Sequence, residues 1–573
     1  MVKAETHKEG RPPGSRKQQN LTKLVLLISI LVSVNILSGF VFTRFDLTSD
    51  KRFTLDPSTI KVVSSLKDVV YVRVYLEGDF PPAFKRLQNA TREMLDELRA
   101  YSNGNLEYEF INPSANPDDA ERKKIYQQLA AQGIQPTNLT ARNKEGTSEQ
   151  VVFPGAMITY LSQEMPVMLL QDQSGVGTEQ MLNNSIQSME YNIMNAIRKV
   201  TNLLPQRVAF IEGHGEWEEN QVADITRELK TSYLVERVKI DEKLGALKGI
   251  HAVIIAGSDS LWSEKDKFIL DQYIMNGGKV LWLLDGTTAT MDSLQYAPET
   301  IALANDVNLE DMLFRYGVRV NYNLLMDLQS APIPVVTGVV GNRPQQSLLP
   351  WYYFPVIVPS STHPLVKNLN ALKFEFVSSL DTVGNAGIKK TVLLSTSKYS
   401  REMNAPVRVD LDIMRREPDV NDFNKSELPV AVLLEGAFVS NYRNRVSPLI
   451  SQDSAIGFRS QGDTTRMIVI GDADVIRNNV RKSDGAIAPL GLDRYTGTVY
   501  GNKALIMNCV DYLFDDSGLM NVRAKEFKLL LLDKTRLDTE LLKWQLINTI
   551  VPVLLVLIFA VIKFIMRKRK YAI

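Results

Sequence analysis

Two long apolar runs lie near opposite ends of the chain, and they constrain its fold more than any other feature. Residues 24–42 form a run of 19 residues without a charged side chain, and residues 546–566 form a second run whose one charge is Lys563. A helix rises about 1.5 Å per residue, so the first run reaches about 28 Å, close to the thickness of a bilayer's hydrocarbon core. The sequence therefore predicts two transmembrane helices, over 24–42 and 546–566.

A cleavable signal peptide is the alternative for the first run, because a basic segment precedes it. Signal peptides have apolar regions of about 7–15 residues that end at a small-x-small cleavage site. Here the run is longer and continues through Phe40, Val41 and Phe42. We therefore expect an uncleaved anchor.

Basic residues flank both runs on the sides that face the chain ends. Residues 1–23 contain six Lys or Arg and two Glu, a net charge of +4, and residues 563–573 contain five Lys or Arg, a net charge of +5. Basic flanks stay on the cytoplasmic side of a membrane. We expect both tails, 1–23 and 567–573, in the cytoplasm and residues 43–545 outside it, which in a bacterium is the periplasm. The sequence RKRK after the second run also disfavours the alternative of a buried core helix there.

The composition excludes several classes of protein. The chain has 573 residues, too many for one hydrophobic core, and its 66 Lys and Arg against 65 Asp and Glu create no basic field that would attract nucleic acid. A single cysteine, Cys509, excludes an internal disulfide and a cysteine-based zinc cluster. The four histidines contain no His-x-x-x-His pair, which argues against a multi-histidine metal site.

Residues 43–203 alternate between short strands and helices. Asp56 before Pro57 predicts the start of a first helix. Strands predicted over 69–76 and 105–111 are each followed by a helix, and two or three antiparallel strands and a last helix complete the unit. This order is compatible with a thioredoxin-like fold. After the first strand, where an oxidoreductase carries its cysteine pair, the chain has Glu-Gly-Asp-Phe-Pro, so we expect a periplasmic binding or spacing domain without disulfide exchange.

Residues 204–330 and 430–515 carry continuous apolar strands that alternate with helices. Such strands are typical of a parallel sheet covered on both faces. The two segments therefore predict one doubly wound α/β domain with a parallel sheet. Its strands are predicted over 207–211, 235–240, 252–256, 279–284, 430–434 and 466–470.

The segment 331–429 interrupts this domain. Seven prolines fall within the 33 residues from Pro332 to Pro364, and short β-like runs such as 373–377 and 391–395 follow. We expect a Pro-rich, β-rich insertion in extended structure.

Interleaved leucines and charges in the segment 516–545 precede the second apolar run. The pattern predicts an amphipathic stalk helix against the membrane or a partner, or a helix that packs only on its own domain. An indole such as that of Trp544 prefers the membrane interface, and Pro552 can mark a kink or a helix contact. We predict a membrane or partner interface at Trp544, Asn548 and Pro552.

Polar residues follow four of the predicted strands of the α/β domain. In a parallel sheet, ligands bind beyond the carboxyl ends of the strands, where side chains from neighbouring strands converge. A small-ligand, sugar or cation site, or the remnant of a hydrolase, is one interpretation. The alternative is helix capping and turn chemistry, because strand-to-helix turns require Gly, Asp and Ser. The candidate ligand-binding residues are His214, Glu216, Asp259, Asp285, Asp472 and Asp474.

The chain lacks the sequence signatures of common catalytic sites. It has no G-x-x-x-x-G-K-[ST] loop for ATP, no G-x-S-x-G nucleophile elbow and no H-E-x-x-H zinc motif. We therefore predict no catalytic residue, no metal and no cofactor.

Several stretches in order along the chain resemble the GldG family, the gliding-motility auxiliary proteins of ABC transporters in Bacteroidota, within the wider auxiliary-component family. The resemblance runs from residue 45 to residue 552 and contains no catalytic signature. The stretches are FDLTSDKRFTLDPST, FIEGHGEW, VIIAGSDS with FILDQYIMNGGKVLWLLDG, VIGDADVIRNN, and LLLLDKTRL with WQLIN.

The resemblance implies a partner permease of the GldF type and, through it, a cytoplasmic ATPase of the GldA type. It also implies a role in gliding motility and the linked type IX secretion machinery at the bacterial inner membrane. The α/β domain is similar to GATase-like and flavodoxin-like domains. The cysteine nucleophile of amidotransferases has no counterpart here, so their activity is not carried over.

Together, these observations predict a non-enzymatic, two-pass subunit of a membrane ABC complex, with a periplasmic body that senses, binds or transmits movement. One alternative is a membrane-tethered solute receptor with a crevice at His214 and Asp472. Another is a membrane-anchored hydrolase, which the missing nucleophile disfavours.

Overall fold

The structure is a computed structural model. The chain divides into two units: the terminal segments Met1–Thr54 and Phe527–Ile573 form one, and Leu55–Glu526 forms the other. The residues that the structure describes are 13–40, 54–143, 146–171, 177–202, 204–294, 297–340, 343–384, 387–448, 452, 456–524 and 534–571.

The first apolar run forms part of a long helix, α1, Pro13–Phe40. Within the described residues its apolar part is Asn20–Asn35, and the large apolar side chains there are exposed. The predicted span 24–42 coincides with α1 as far as Phe40, and its last two residues lie outside the described part of the chain. Of the predicted basic tail, residues 13–23 are helical and 1–12 are outside the described part.

The larger unit begins with the helix α2, Pro57–Ser64. As predicted, Asp56 caps this helix, because its side chain accepts a hydrogen bond from Ser58 N at 2.9 Å. The next elements are β1 Val70–Val74, α3 Pro82–Tyr101, β2 Leu106–Phe110, α4 Asp119–Ala131, β3 Thr137–Asn143, β4 Gly146–Val152, β5 Gly155–Tyr160, β6 Gln163–Met168 and α5 Thr178–Thr201.

Four of these strands form one sheet in the order β2-β1-β5-β6. Strands β1 and β2 are parallel, whereas β5 is antiparallel to both β1 and β6. Val70, Val72 and Val74 on β1 are fully buried, because alternate residues of a strand point to the same face. Helices α3 and α5 cover that face, and α4 contributes to a smaller core on the other.

The sequence does not predict the hairpin of β3 and β4, in which Thr137 pairs with Val152. The first of its strands, TNLTARN, lacks the alternation of apolar and polar residues by which a strand is identified. The hairpin forms a separate two-stranded sheet.

Strands between residues 207 and 470 build a second, larger sheet and a β-rich region. These strands are β7 Arg207–Glu212, β8 Leu234–Lys239, β9 Ala252–Ala256, β10 Lys279–Leu283, β11 Glu299–Ala302, β12 Val318–Val320, β13 Asn323–Asp327, β14 Ser330–Val340, β15 Arg343–Ile357, β16 Leu372–Lys373, β17 Leu380–Thr382, β18 Ile388–Ser395, β19 Ser400–Asn404, β20 Val407–Asp410, β21 Pro429–Val439 and β22 Gln461–Ile470. The helices from residue 207 onward are α6 Ala223–Lys230, α7 Glu264–Met275, α8 Met291–Leu294, α9 Glu310–Tyr316, α10 Asn502–Leu513 and α11 Lys534–Tyr571, with short 3-10 helices at Glu219–Val222, Leu411–Arg415, Val420–Asp422, Asp474–Ile476 and Leu519–Ala524.

The larger sheet has seven strands in the order β18-β21-β22-β10-β9-β7-β8. Each of the six predicted strands of the α/β domain corresponds to one of its members. The five strands from β22 to β8 are parallel. At one edge, β21 pairs antiparallel with β22, and β18 pairs antiparallel with β21. The sheet is therefore mixed, where the sequence predicts a parallel one.

Helices cover both faces of this sheet. Alternate residues of β10 show the arrangement: Leu281 and Leu283 face one core, and Val280 and Trp282 face the other. Helices α6 and α10 close the first core, and α7 and α9 close the second. Because the parallel strands are buried on both sides, they are almost continuously apolar in sequence.

The β-rich region differs from the predicted insertion 331–429 in its extent. It begins at β11, which pairs with β20, and β13 pairs with β19. Strand β18 lies inside the predicted insertion but belongs to the seven-stranded sheet. The long hairpin of β14 and β15 carries most of the prolines, and its aromatic residues, Trp351 and Tyr353 among them, form a core of their own.

A buried carboxylate joins the two sheets. Asp511 on α10 accepts hydrogen bonds from Lys199 Nζ at 3.0 Å and Asn195 Nδ2 at 3.2 Å, both on α5, and from the hydroxyl of Tyr233. Burial by itself would raise the pKa of Asp511, but Lys199 and Arg198 outweigh burial and lower it. One ionised carboxylate therefore binds the last helix of the first sheet to a helix of the second.

The predicted stalk 516–545 is not one helix. Leu519, Met520 and Val522 are buried in the main core, and Asp515 accepts hydrogen bonds from Leu519 N and Met520 N. The 3-10 helix Leu519–Ala524 is thus part of the folded body, since its apolar residues pack inward. Residues 525–533 of the predicted stalk lie outside the described part of the chain.

The second apolar run lies wholly within α11. Among the described residues, one helical stretch, Glu540–Arg569, is long and apolar enough to cross a membrane. The last part of the predicted stalk, from Lys534 onward, continues into this stretch without a break.

We expect Asp511→Ala to lower the free energy of unfolding by about 3–5 kcal/mol, because the substitution leaves Lys199 and Arg198 without their buried anion. Asp516→Ala is the matched control: its carboxylate is exposed, so the loss should stay within about 0.5 kcal/mol. Urea unfolding followed by tryptophan fluorescence measures both. Equal losses in the two variants would contradict the role given to Asp511.

Candidate functional site

His214 follows β7, and protein groups surround its side chain. The residue is 5% exposed, and its ring stacks on Trp262 with centroids 3.7 Å apart. Its Nε2 lies 3.1 Å from Asp266 Oδ2 on α7, and its Nδ1 lies 3.4 Å from Glu216 Oε1. Two carboxylates thus flank the two nitrogens of a buried imidazole.

The charges around His214 favour its protonated form. Burial by itself would lower the pKa of His214, but the carboxylates of Glu216 and Asp266 outweigh burial and raise it. The His214 ring therefore binds the turn after β7 to helix α7 by a charge-assisted hydrogen bond between Nε2 and Asp266, while Nδ1 faces Glu216 at ion-pair distance without a hydrogen bond.

Glu216 and Asp259 complete this first group of candidate residues. Glu216 accepts hydrogen bonds from His214 N at 2.7 Å and from Ser258 Oγ at 3.0 Å. Asp259 is exposed, but its Oδ1 lies so close to Gly215 that a Cβ on that glycine would be 1.6 Å away. Gly215 also has φ +82°, so both the space and the backbone require glycine.

Asp285, Asp472 and Asp474 form a second group, after β10 and β22. Asp472 is fully buried, and its two oxygens accept hydrogen bonds from Glu375 N and Asp474 N, each at 2.7 Å. Asp285 Oδ1 accepts a hydrogen bond from Ala473 N at 2.8 Å. These carboxylates bind backbone groups of the turn after β22 and of the segment that crosses it.

The pKa values of all three aspartates are raised. Burial is the largest cause for each, and the charge of Asp474 adds to it for Asp285 and Asp472. For Asp474, Glu375 adds to burial, while the guanidinium of Arg477 at 3.0 Å opposes the rise. The group thus holds protons more firmly than free aspartates do.

Trp217 lies between the two groups. Its indole packs against Gly257 at the end of β9, where a Cβ would come within 2.8 Å of the ring, and its Nε1 donates to Ala473 O at 2.9 Å. The Arg477 guanidinium lies 4.4 Å from the ring centroid. The six predicted residues therefore form two groups, His214 with Glu216 and Asp259, and Asp285 with Asp472 and Asp474, and an aromatic side chain occupies the space above β9.

A cavity of about 600 Å³ adjoins the second group. Asp474, Glu375 and Arg477 line it, together with the ion pair of Lys373 and Glu375 at 2.9 Å. Asp493 also lines it and is buried, with Oδ2 3.5 Å from Lys373 Nζ. These balanced charges make the cavity polar but not selectively attractive to anions or cations.

Several of these residues carry no local signal in the sequence. Trp217 stands in the predicted turn GHGEW, but its contacts with Gly257 and Ala473 depend on the fold. Lys373 and Glu375 lie in the predicted insertion, where no pattern connects them to the end of β22. An Asp-x-Asp pair after an apolar strand was the one local signal, and it located Asp472 and Asp474.

The described residues provide little for metal or nucleophilic chemistry. They contain no group of three or more His, Cys, Asp or Glu side chains arranged to hold a metal ion. Cys509 is fully buried on α10, and burial raises the pKa of its thiol, so the thiolate form is suppressed.

The predicted interface residues lie on α11 and are exposed. Trp544 donates from Nε1 to Glu540 Oε2 at 3.0 Å, one turn earlier. Pro552 lies inside the helix, and Asn548 lies midway between it and Trp544. Spacings of four residues place the three on one side of the helix.

We expect His214→Ala to lower the free energy of unfolding by about 1–3 kcal/mol near pH 5.5, since it removes the charged contacts of a buried imidazole with Glu216 and Asp266. A histidine whose pKa is raised by folding stabilises the folded state fully at pH values below its pKa in the unfolded chain, about 6.5. This stabilisation is lost as the pH rises through its pKa in the folded state. The difference from the unsubstituted protein should therefore shrink between pH 5.5 and pH 9, as urea unfolding at both values would show. A difference that grows with pH would contradict the ion pairs.

We expect Asp285→Asn to stabilise the protein at pH 8 by about 1 kcal/mol. The amide oxygen can still accept from Ala473 N, while one of three crowded negative charges is removed. An aspartate whose pKa is raised by folding destabilises the folded state at pH values above its pKa in the unfolded chain, about 3.9. The stability gained by Asp285→Asn should therefore disappear as the pH falls to 4. Thermal unfolding at both pH values tests this, and destabilisation at pH 8 would contradict it.

Comparison with known proteins places most of the chain in described families. Residues 49–159 match a domain of unknown function, DUF7088. No curated protein matches the chain. Among solved structures, the mmIFT52 N-terminal domain matches at 15% identity, covering 54% of this chain and 97% of that one, with a TM-score of 0.29. Residues 205–509, more than half of the chain, match the ABC transporter auxiliary family described as an ABC-type uncharacterized transport system. The chain therefore belongs to this ABC transport auxiliary family.

Proposed function

We propose that the chain is a non-enzymatic, membrane-anchored auxiliary subunit of an ABC transport complex. The observation that carries the proposal is the family match over 205–509 together with a helix, α11, that is long and apolar enough to cross a membrane. An auxiliary subunit needs a partner that hydrolyses ATP, and the sequence has no P-loop of its own.

The proposed topology has two membrane passes, with both tails in the cytoplasm and the body of 43–545 in the periplasm of the bacterial inner membrane. The basic flanks of +4 and +5 support this orientation. Helix α1, which contains the first run as far as Phe40, and helix α11, which contains the whole second run, support two anchors.

The two sheets support the proposed domains. A parallel pair, β2 and β1, that continues on one side into the antiparallel pairings of β5 and β6 supports a thioredoxin-like domain over 43–203. The five parallel strands with helices on both faces support a doubly wound GATase-like or flavodoxin-like domain over 204–330 and 430–515.

The strand-end carboxylates support a structural role rather than catalysis. The carboxylate oxygens of Asp472 and Glu216 accept hydrogen bonds from backbone N–H groups and a serine hydroxyl of the chain itself. Trp217 occupies the space where a ligand of an open α/β sheet binds. A membrane-tethered solute receptor is the second candidate, and the polar cavity at Asp474 and Arg477 is the observation that favours it.

The proposed partners are a permease of the GldF type and, through it, a cytoplasmic ATPase of the GldA type. The proposed process is gliding motility, with the linked type IX secretion machinery. Both rest on the sequence resemblance, and the family match supports association with an ABC transporter.

The proposed contact with the permease lies on one side of α11. Asn548 is an amide in an apolar helix, and such groups hydrogen-bond across helix interfaces in membranes. We expect the triple substitution of Trp544, Asn548 and Pro552 by alanine to lower recovery of the permease and the ATPase severalfold in detergent pull-downs read by mass spectrometry.

The matched control is the triple alanine substitution of Leu546, Ile550 and Leu554, which the helix places on the opposite side. It should leave recovery unchanged. Equal recovery with both variants would contradict a specific helix interface, and absence of any permease or ATPase with the unsubstituted chain would contradict the proposed function.

A further inference from the structure

A second and larger cavity, of about 1210 Å³, lies apart from the strand-end site. Its walls come from β6 and the helix α5 beside the first sheet, and from the helices α6 and α10 beside the second. Arg523 of the 3-10 helix Leu519–Ala524 also lines it. No residue of this cavity belongs to the predicted site. Its volume is enough for a ligand larger than a typical drug molecule.

Arg523 lines this cavity as a buried cation with little compensation. The residue is 8% exposed, and its Nη2 donates a hydrogen bond to Lys367 O at 3.2 Å. Among the residues that the structure describes, no carboxylate comes within 4.0 Å of its guanidinium. Burial lowers the pKa of Arg523, but a guanidinium stays charged. A buried charge without a partner is costly, so this position favours an incoming anion.

Tyr191 on α5 lies beside Arg523 and lines the same cavity. The guanidinium carbon of Arg523 is 5.2 Å from the Tyr191 ring centroid, and Tyr191 is 4% exposed. Its hydroxyl has no hydrogen-bond partner among the described residues. Buried hydroxyls are normally satisfied, so this one, which is shielded from solvent beside the cavity, is a donor that a bound ligand reaching it would satisfy.

The other charged residues of the lining are Lys199, Asp511, Glu164 and Glu228. Lys199 Nζ lies 3.0 Å from Asp511, which ties the two sheets together, and Glu164 pairs with Arg73. Glu228 is half-buried near the end of α6. Among the described residues, Arg523 is therefore the cation of this lining that has no carboxylate as an ion-pair partner.

The remaining lining combines flexible apolar side chains with carboxamides. Methionine is unbranched and polarizable, so it adapts to apolar groups of different shapes. A carboxamide both donates and accepts, which matches the N–H and C=O of a peptide backbone. The methionines are Met165, Met168, Met181 and Met507, and the carboxamides include Gln135, Gln171, Asn192, Asn370 and Asn508.

We propose that this cavity binds a short peptide by its C-terminal carboxylate. Arg523 pairs with the carboxylate, the Tyr191 hydroxyl donates a hydrogen bond to it, the carboxamides bind the peptide backbone, and the methionines contact its side chains. An acidic sugar would share the contact with Arg523 but would place hydroxyls against the methionines. The inference does not depend on the proposed role in transport.

Isothermal titration calorimetry of the full chain in nanodiscs tests the proposal with two probes that differ only at the carboxylate. These are the tripeptide Ala-Leu-Ala with a free C-terminus and the same tripeptide as its C-terminal amide. We expect the free acid to bind with a Kd below about 1 mM. The amide should bind at least tenfold more weakly, because it offers Arg523 no charge.

Two variants assign the binding to this cavity. Arg523→Gln and Tyr191→Phe should each weaken binding of the free acid severalfold. Tyr191→Phe should leave the melting temperature unchanged or raised, because the lost hydroxyl has no partner, so weaker binding by this variant does not report misfolding. Arg494→Gln, at the wall of the smaller cavity, is the matched control and should bind as the unsubstituted chain does.

Several outcomes would overturn the proposal. These are no binding of the free acid, equal binding of the acid and the amide, and full affinity in both Arg523→Gln and Tyr191→Phe. Loss of affinity in Arg494→Gln alone would move the site to the smaller cavity. Binding of sodium glucuronate without binding of the tripeptide would replace the peptide with an acidic sugar.

Discussion

The buried carboxylate of Asp511 is the contact on which the rest of the body depends. It pairs with Lys199 near the end of α5, lies within the field of Arg198, and accepts a hydrogen bond from the hydroxyl of Tyr233. It therefore joins a helix of the four-stranded sheet to a helix of the seven-stranded sheet. The apolar cores of the two sheets are continuous through the same region. Because three charged or polar groups converge on one carboxylate, sliding of one sheet against the other would expose unpaired charges. The two sheets therefore form one body, and the cavity lined by Tyr191 and Arg523 lies where they meet.

The carboxyl ends of the parallel strands illustrate how a fold associated with ligand binding can be closed. His214 is held between Glu216 and Asp266, and Trp217 occupies the space above β9. Glu216, Asp285 and Asp472 accept hydrogen bonds from backbone donors of their own chain, so their oxygens already have partners inside the fold.

The regular parts of the fold could be predicted from the sequence because a buried strand requires a run of apolar residues, which a local pattern reveals. Strands β7, β9 and β10 are buried on both faces, so they are apolar runs that local patterning detects. The hairpin of β3 and β4 has no such pattern. No pattern assigns β18 to the seven-stranded sheet either, because it lies within a Pro-rich segment. The candidate residues were placed at the correct strand ends. Their division into two groups could not be predicted, because it depends on Trp217 reaching Ala473 across the sheet.

Native-state hydrogen exchange of the full chain, read by mass spectrometry, tests the claim that the two sheets form one body most directly. The slowest-exchanging amides of β1 and β5 report on the first sheet, and those of β9 and β10 report on the second. If Asp511 and the shared core join the sheets, both sets should open with the same free energy and the same dependence on denaturant, as one cooperative unit. Opening of the first sheet at distinctly lower free energy, while the second stays protected, would contradict the account.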